Sequence, residues 1–126
     1  MGVVMQAGCT KCAYSEELFL GSGVMFGDLN SVRAMFDGST AAKIVAFYAK
    51  NDHTGFDAEY TLTICDKCNK VGALPVVTFF SSNGEETKFF GKCDCGSENV
   101  RIIPTSEASC PQCKAAMILK ETGRWD

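Results

Sequence analysis

One histidine, three prolines, one tryptophan and no excess of basic side chains are found in 126 residues, and each scarcity closes off a class of function. A lone His53 has no second imidazole beside it, and no paired carboxylates accompany it, so no acid–base or nucleophilic constellation can be assembled from the sequence. It lies in "NDHTGFD", a polar, glycine-containing return loop, and is read as exposed. Lys and Arg number 12 against 15 Asp and Glu, a formal charge of −3. Binding nucleic acid through counterion release requires a cationic face, which this balance disfavours. No stretch reaches the ~20 apolar residues of a membrane span. The opening "MGVVMQAGC" lacks the basic and apolar regions of a signal peptide, and Gln6 stands where N-myristoylation requires Ser or Thr. The expected setting is the cytoplasm, where thiols stay reduced.

What the chain does have is cysteine: eight residues, in four pairs with none left over. They are Cys9 and Cys12 in "CTKC", Cys65 and Cys68 in "CDKC", Cys93 and Cys95 in "CDC", and Cys110 and Cys113 in "CPQC". Two residues between thiolates form a tight turn that aims both sulfurs at one cation, and two such turns complete the tetrahedral shell of a structural Zn²⁺. Four pairs therefore predict two metals, all eight cysteines serving as ligands. In a reducing compartment such clusters bind metal more often than they form disulfides. The residue after each pair often adopts a left-handed backbone, which Gly accepts and Asn tolerates. Gly96 and Asn69 suit that role; Ala13 and Lys114 do not, which predicts two less regular turns.

Hydrophobic patterning supplies the framework. "YSEELFL", "ALPVVTFF", "NVRII" and "AAMILK" follow the four pairs as candidate strands, the last equally able to begin a helix. "AEYTLTI" alternates, placing Tyr60, Leu62 and Ile64 on one face and Glu59, Thr61 and Thr63 on the other, a half-buried strand that delivers Cys65. Asn83-Gly84 predicts a hairpin with a type I′ turn between strands near 74–81 and 86–92. The 52 residues between Cys12 and Cys65 are too many for a loop. They read as two amphipathic helices near 28–37 and 40–50, the first capped by Asp28 and ended by Gly38, the second begun at Ser39 or Thr40.

The pairs can share metals in three ways. The serial arrangement, 9/12 with 65/68 and 93/95 with 110/113, is preferred to the nested one, in which the hairpin unites the second and third pairs. The expected fold is α+β: two zinc ribbons of short antiparallel strands, with residues 1–92 forming an N-terminal ribbon that carries the two-helix insertion and residues 93–126 a C-terminal ribbon.

A first cysteine pair, "LFLGSGVMF", a helical insertion, a second pair, and a tail with "CPQC", Met117 and "ETGRWD" together resemble a group of small uncharacterised bacterial zinc-ribbon proteins, and the likeness runs over most of the chain. The departure is "CDC", where such proteins usually carry CxxC. The resemblance implies a metal-ribbon architecture and no substrate.

A closed shell of four thiolates leaves no position for water or substrate, so the metals are expected to be structural and the chain more a macromolecular interaction module, most readily for protein, than an enzyme. Two other readings stand beside it. "CPQC" is similar to the second knuckle of rubredoxins, which would make one or both sites an iron electron carrier. Zinc ribbons can also bind nucleic acid, although residues 92–126 carry Lys92, Arg101, Lys114, Lys120 and Arg124 against Asp94, Glu98, Glu107, Glu121 and Asp126, which is no basic patch. Gly21, Gly23 and Gly27 in "LGSGVMFGD" lack phosphate-loop spacing and a Walker lysine, and are read as turn glycines. Trp125 is expected to pack over the C-terminal ribbon.

Overall fold

The computed structural model describes residues 2–22, 28–50 and 55–125. Its elements in chain order are β1 (Gly2–Cys9), β2 (Ser15–Gly21), α1 (Leu29–Arg33), α2 (Gly38–Lys50), β3 (Gly55–Cys65), β4 (Val71–Phe80), β5 (Glu86–Phe90), β6 (Val100–Ile102), a 3-10 turn at Thr105–Glu107, and β7 (Met117–Trp125). The seven strands form one antiparallel sheet in the order β5-β4-β3-β2-β1-β7, with β6 paired to β3. The α+β class is as expected. The sheet nearly divides in two, because among the described residues β2 pairs with β3 only at Gly21 and Tyr60, whereas β1 is paired along its length with both β2 and β7.

Two cores lie against the sheet, and the first is shared by both halves. Ala7, Leu18, Met117 and Ala108 pack with Leu62 and Val71 on one side of the β2-β1-β7 unit, and Cys110 is buried among them. The second core is made by the helices on β3 and β4: Val32, Phe36 and Ile44 cover Ala58, Val77 and Phe79. Phe47 packs at an angle against Phe79 and edge-on against Phe89, with ring centroids 5.1 and 5.5 Å away. Leu29, Val32, Met35 and Phe36, read as one helical face, do point together into this core. The regular part of α1 nevertheless stops at Arg33, and Gly38 opens α2 instead of closing α1. Asp37 accounts for the difference. Its carboxylate accepts from the N–H groups of Ser39 and Thr40, both at 3.2 Å, satisfying donors that the first turn of a helix leaves unpaired. The Ser39 and Thr40 hydroxyls also donate to it, and together they hold Asp37 far below the usual carboxylate range.

The hairpin at Asn83-Gly84 forms with β4 and β5 as its arms, but not through a type I′ turn. Gly84 is left-handed at φ 90° while Asn83 is not. Ser81 donates its N–H to Glu85 O and accepts at its carbonyl from Gly84 N, a three-residue loop with glycine in the left-handed position. Strand β3 also departs from simple alternation: Thr63, assigned to the polar face, is 1% exposed and its hydroxyl donates to Gly72 O at 3.1 Å. Both faces of the sheet are covered where β3 approaches its cysteines. "AAMILK" resolves to a strand, and β1 is a strand that the hydrophobic pattern does not signal.

Trp125 packs on β1–β3, away from the position expected for it. Its indole N–H donates to Leu20 O at 3.1 Å, and Phe19 and Tyr60 flank it. A side chain at residue 2 would collide with the Trp125 ring and the Leu20 carbonyl, so Gly2 is what allows the indole to lie across β1. His53, Gly23 and Gly27 lie outside the described residues.

Candidate metal centres

The eight sulfurs gather into two groups of four: Cys9, Cys12, Cys110 and Cys113, and Cys65, Cys68, Cys93 and Cys95, with all ligand atoms in each group within 4.8 Å of one another. This is the nested pairing, and it corrects the serial one. The reason lies in the sheet. Antiparallel pairing of β1 with β7 brings Cys9 opposite Met117 and so sets the first knuckle beside the fourth. The β4–β5 hairpin, with β6 paired to the end of β3, returns the third knuckle to the second. Loop-closure entropy, which grows only slowly with length, could not have chosen between the pairings; strand order does.

The knuckles are built alike. Cys9, Cys65 and Cys110 each donate their N–H to the carbonyl five residues on, Tyr14, Lys70 and Ala115, at 2.9, 3.0 and 2.8 Å. Cys93 donates to Ser97, four residues on, at 3.1 Å. "CDC" is therefore the same turn shortened by one residue. Asn69 and Lys114 donate back to the carbonyls of Cys65 and Cys110, and Gly96 to that of Cys93, all at 2.8 Å. Asn69, Lys114 and Gly96 sit at φ 65°, 63° and 87°. Lys114 thus takes the left-handed conformation its type disfavours, contrary to the reading of that turn as irregular. Ala13 does not share it.

In the first group the Cys9 and Cys113 sulfurs are 3.3 Å apart, Cys12 and Cys110 3.6 Å, and Cys12 and Cys113 3.7 Å. The second has Cys65 and Cys95 at 3.6 Å and Cys68 and Cys93 at 3.4 Å. A tetrahedron with metal–sulfur bonds of about 2.3 Å has edges of about 3.8 Å, whereas a disulfide would need about 2.05 Å. All eight thiols are free, and the four-sulfur donor sets fit Zn²⁺ or another thiophilic ion.

The electrostatics point the same way. The Lys11 and Cys12 N–H groups donate to the Cys9 sulfur, both at 3.4 Å, and the Lys11 bond leads in lowering that thiol to about 6. At Cys65 the N–H of Cys68 leads, with Lys67 helping, and the thiol again falls to about 6. The Tyr14 N–H favours a Cys12 thiolate, yet the Cys9 sulfur, burial and the remaining sulfurs outweigh it and push Cys12 up to about 12. Burial, then the neighbouring sulfurs, raise Cys93 to about 12. One thiolate per group forms readily and makes the next unfavourable, as coupled like charges must. A divalent cation at the centre reverses that repulsion.

Side chains far apart in sequence close around the second group. Lys70 pairs with Asp94 at 2.5 Å and Arg101 with Asp66 at 3.1 Å, tying the two knuckles to each other and to β6. Near the first group Thr10 donates its hydroxyl to Ala116 O at 2.9 Å. None of these was legible beforehand, since isolated charges at such separations give no sequence pattern. Among the described residues no helix is long and apolar enough to cross a membrane. Comparison of the chain with family models, curated proteins and solved structures found no match.

Proposed function

We propose that the chain is a double zinc ribbon in which each four-cysteine group holds one structural Zn²⁺, and that it serves as a macromolecular interaction module with a protein partner. One observation carries the metal reading: two sets of four free sulfurs, each set within 4.8 Å. The residues that would hold the ions are Cys9, Cys12, Cys110 and Cys113 for one and Cys65, Cys68, Cys93 and Cys95 for the other. Bound zinc supplies folding free energy and pins the knuckles; with all four positions taken by sulfur it offers no site for hydrolysis. The interaction role is supported by what such pinning achieves, which is a rigid sheet end on a small chain, together with the acidic balance that disfavours nucleic acid.

Elemental analysis with native mass spectrometry tests this. The expected result is two zinc ions per chain and a colourless protein that loses its fold on chelation. Intense visible colour with bound iron would replace the reading by an electron carrier. A metal-free chain that stays folded would end it. Retention on nucleic acid that weakens steeply with salt would move the partner to that class.

A further inference from the structure

Where β2 parts from β3, a cleft of about 440 Å³ opens between the two halves of the sheet, within the ~300–1,000 Å³ range of ligand sites. Its β2 wall runs from Glu16 to Phe19, and its far wall includes Tyr60 and the start of β4. Cys65 and Cys93 of the second four-sulfur group also line it. Three features of this space point to one kind of occupant.

First, Phe19, Tyr60 and Trp125 all line the cleft, with Trp125 6.5 Å from Phe19 and 6.1 Å from Tyr60 and the rings inclined at 52° and 62°. A cation is attracted within about 6 Å of an aromatic ring centroid, and three rings border this space. Phe19 is 51% exposed, so an incoming side chain can reach its ring. Second, the charge is one-sided. Glu16, Glu17 and Asp94 line the cleft against one ammonium, Lys70, and Asp94 already holds that ammonium at 2.5 Å. Glu16 keeps its charge but is held by the Tyr14 hydroxyl at 2.6 Å, while Glu17 is exposed and in no ion pair among the described residues, so both carboxylates can act on a cation and Glu17 is the one exposed to it. Third, along the cleft β2 presents a strand edge that has a ladder partner only at Gly21 among the described residues. An edge of this kind accepts an added strand.

We propose that the cleft binds an extended, basic peptide segment of a partner protein, which adds antiparallel or parallel to the Ser15–Leu20 edge of β2 and lays a lysine or arginine side chain among Phe19, Tyr60 and Trp125, opposite Glu17. Main-chain bonds to β2 supply sequence-independent affinity, and the aromatic and carboxylate walls select the charge. This rests on the reading of the chain as a protein-interaction module and names the class of segment it takes.

Trp125 is the only tryptophan, so its fluorescence reports on the cleft directly. The metal-loaded protein is titrated with a capped heptapeptide alternating lysine and threonine, with the same peptide carrying glutamate for lysine, and with N-acetyl-lysine methylamide. The expected result is saturable binding of the basic heptapeptide alone, with amide shifts in NMR concentrated on Ser15–Leu20. Glu17→Lys, an exposed change that leaves the fold intact, weakens binding at least tenfold, and Trp125→Phe, read by calorimetry, weakens it less. No response to the basic peptide, equal binding of the acidic one, or equal affinity for the lone lysine derivative overturns the inference. The metal content of the same sample separates the failures: two zincs without peptide binding leaves the metal reading standing, whereas a folded, metal-free protein removes that reading itself.

Discussion

The two four-sulfur groups use nearly the same turns but occupy opposite structural roles. Cys9 and Cys12 meet Cys110 and Cys113 across about a hundred residues, the sulfur pairs being separated by 98 to 104 positions, and Cys110 belongs to the core of the β2-β1-β7 unit. Cys65 and Cys68 meet Cys93 and Cys95 across 25 to 30 positions, through the β4–β5 hairpin, and Cys65 and Cys93 border a cleft. Closing the longer loop costs roughly 1 kcal/mol more chain entropy. With metal bound, the first group would tie the Cys9 end of β1 to the knuckle that precedes β7, adding to their backbone ladder, and the second would brace an arm already held by β3 and β4. Identical chemistry carries different weight because of what the sheet does without it.

The largest expected effect comes from breaking the tie. Cys110→Ser removes a buried ligand from the core, and the variant is expected to lose one zinc and its cooperative thermal transition, read by native mass spectrometry and calorimetry. Its cost draws on a site worth on the order of 10 kcal/mol in small zinc-folded peptides. Cys95→Ser, at the exposed rim of the second group, is expected to lose one zinc yet keep a cooperative, lowered transition and the helical circular dichroism of α2. If both variants melted alike, the proposed division of labour between the groups would be wrong.

Acid should act on both groups, because protons compete with metal for sulfur. Cys12 and Cys93, pushed up to about 12, carry protons at neutral pH in the absence of metal and must release them to bind it. Metal affinity therefore rises with pH and falls as pH falls, and metal uptake at pH 7 acidifies a weakly buffered solution. A pH-stat titration with Zn²⁺ measures this; no proton release would contradict thiol ligation. Cys9 and Cys65, lowered to about 6, favour the thiolate at pH 7 and are expected to provide the first anchor in each group.

The smallest effect sharpens the comparison at the knuckles. Lys114, next to the first group, bears a left-handed backbone that Asn69, next to the second, tolerates better. Lys114→Gly is expected to raise stability by about 0.5–1 kcal/mol, and Asn69→Gly to be closer to neutral, both read by chemical denaturation.

The sequence made the ligand types, the turn chemistry and most strands readable, because each is a local property. Cysteine spacing announces a knuckle wherever it falls, and the Asn83-Gly84 signal located a hairpin although Gly84 alone is left-handed there. Pairing of the knuckles was not readable, since it depends on β1 lying beside β7, and β1 with its "GVVMQAG" gives only a weak alternation. α2 starts a residue or two before the position that Ser39 or Thr40 suggests, because Asp37 satisfies its first amides. The cleft was invisible for a related reason: Phe19, Tyr60 and Trp125 are brought together by Gly2 and the β2–β3 junction, and nothing in their spacing along the chain joins them.

Placing β1 against β7 also sets an order of events at the ribosome. The second group can close once Cys95 has emerged, but Cys9 and Cys12 must wait for Cys113, about 5–20 s at 5–20 residues per second. Throughout that interval Cys9 and Cys12 have no partner knuckle in the nascent chain, so metal supply and thiol oxidation bear more heavily on the first group than on the second.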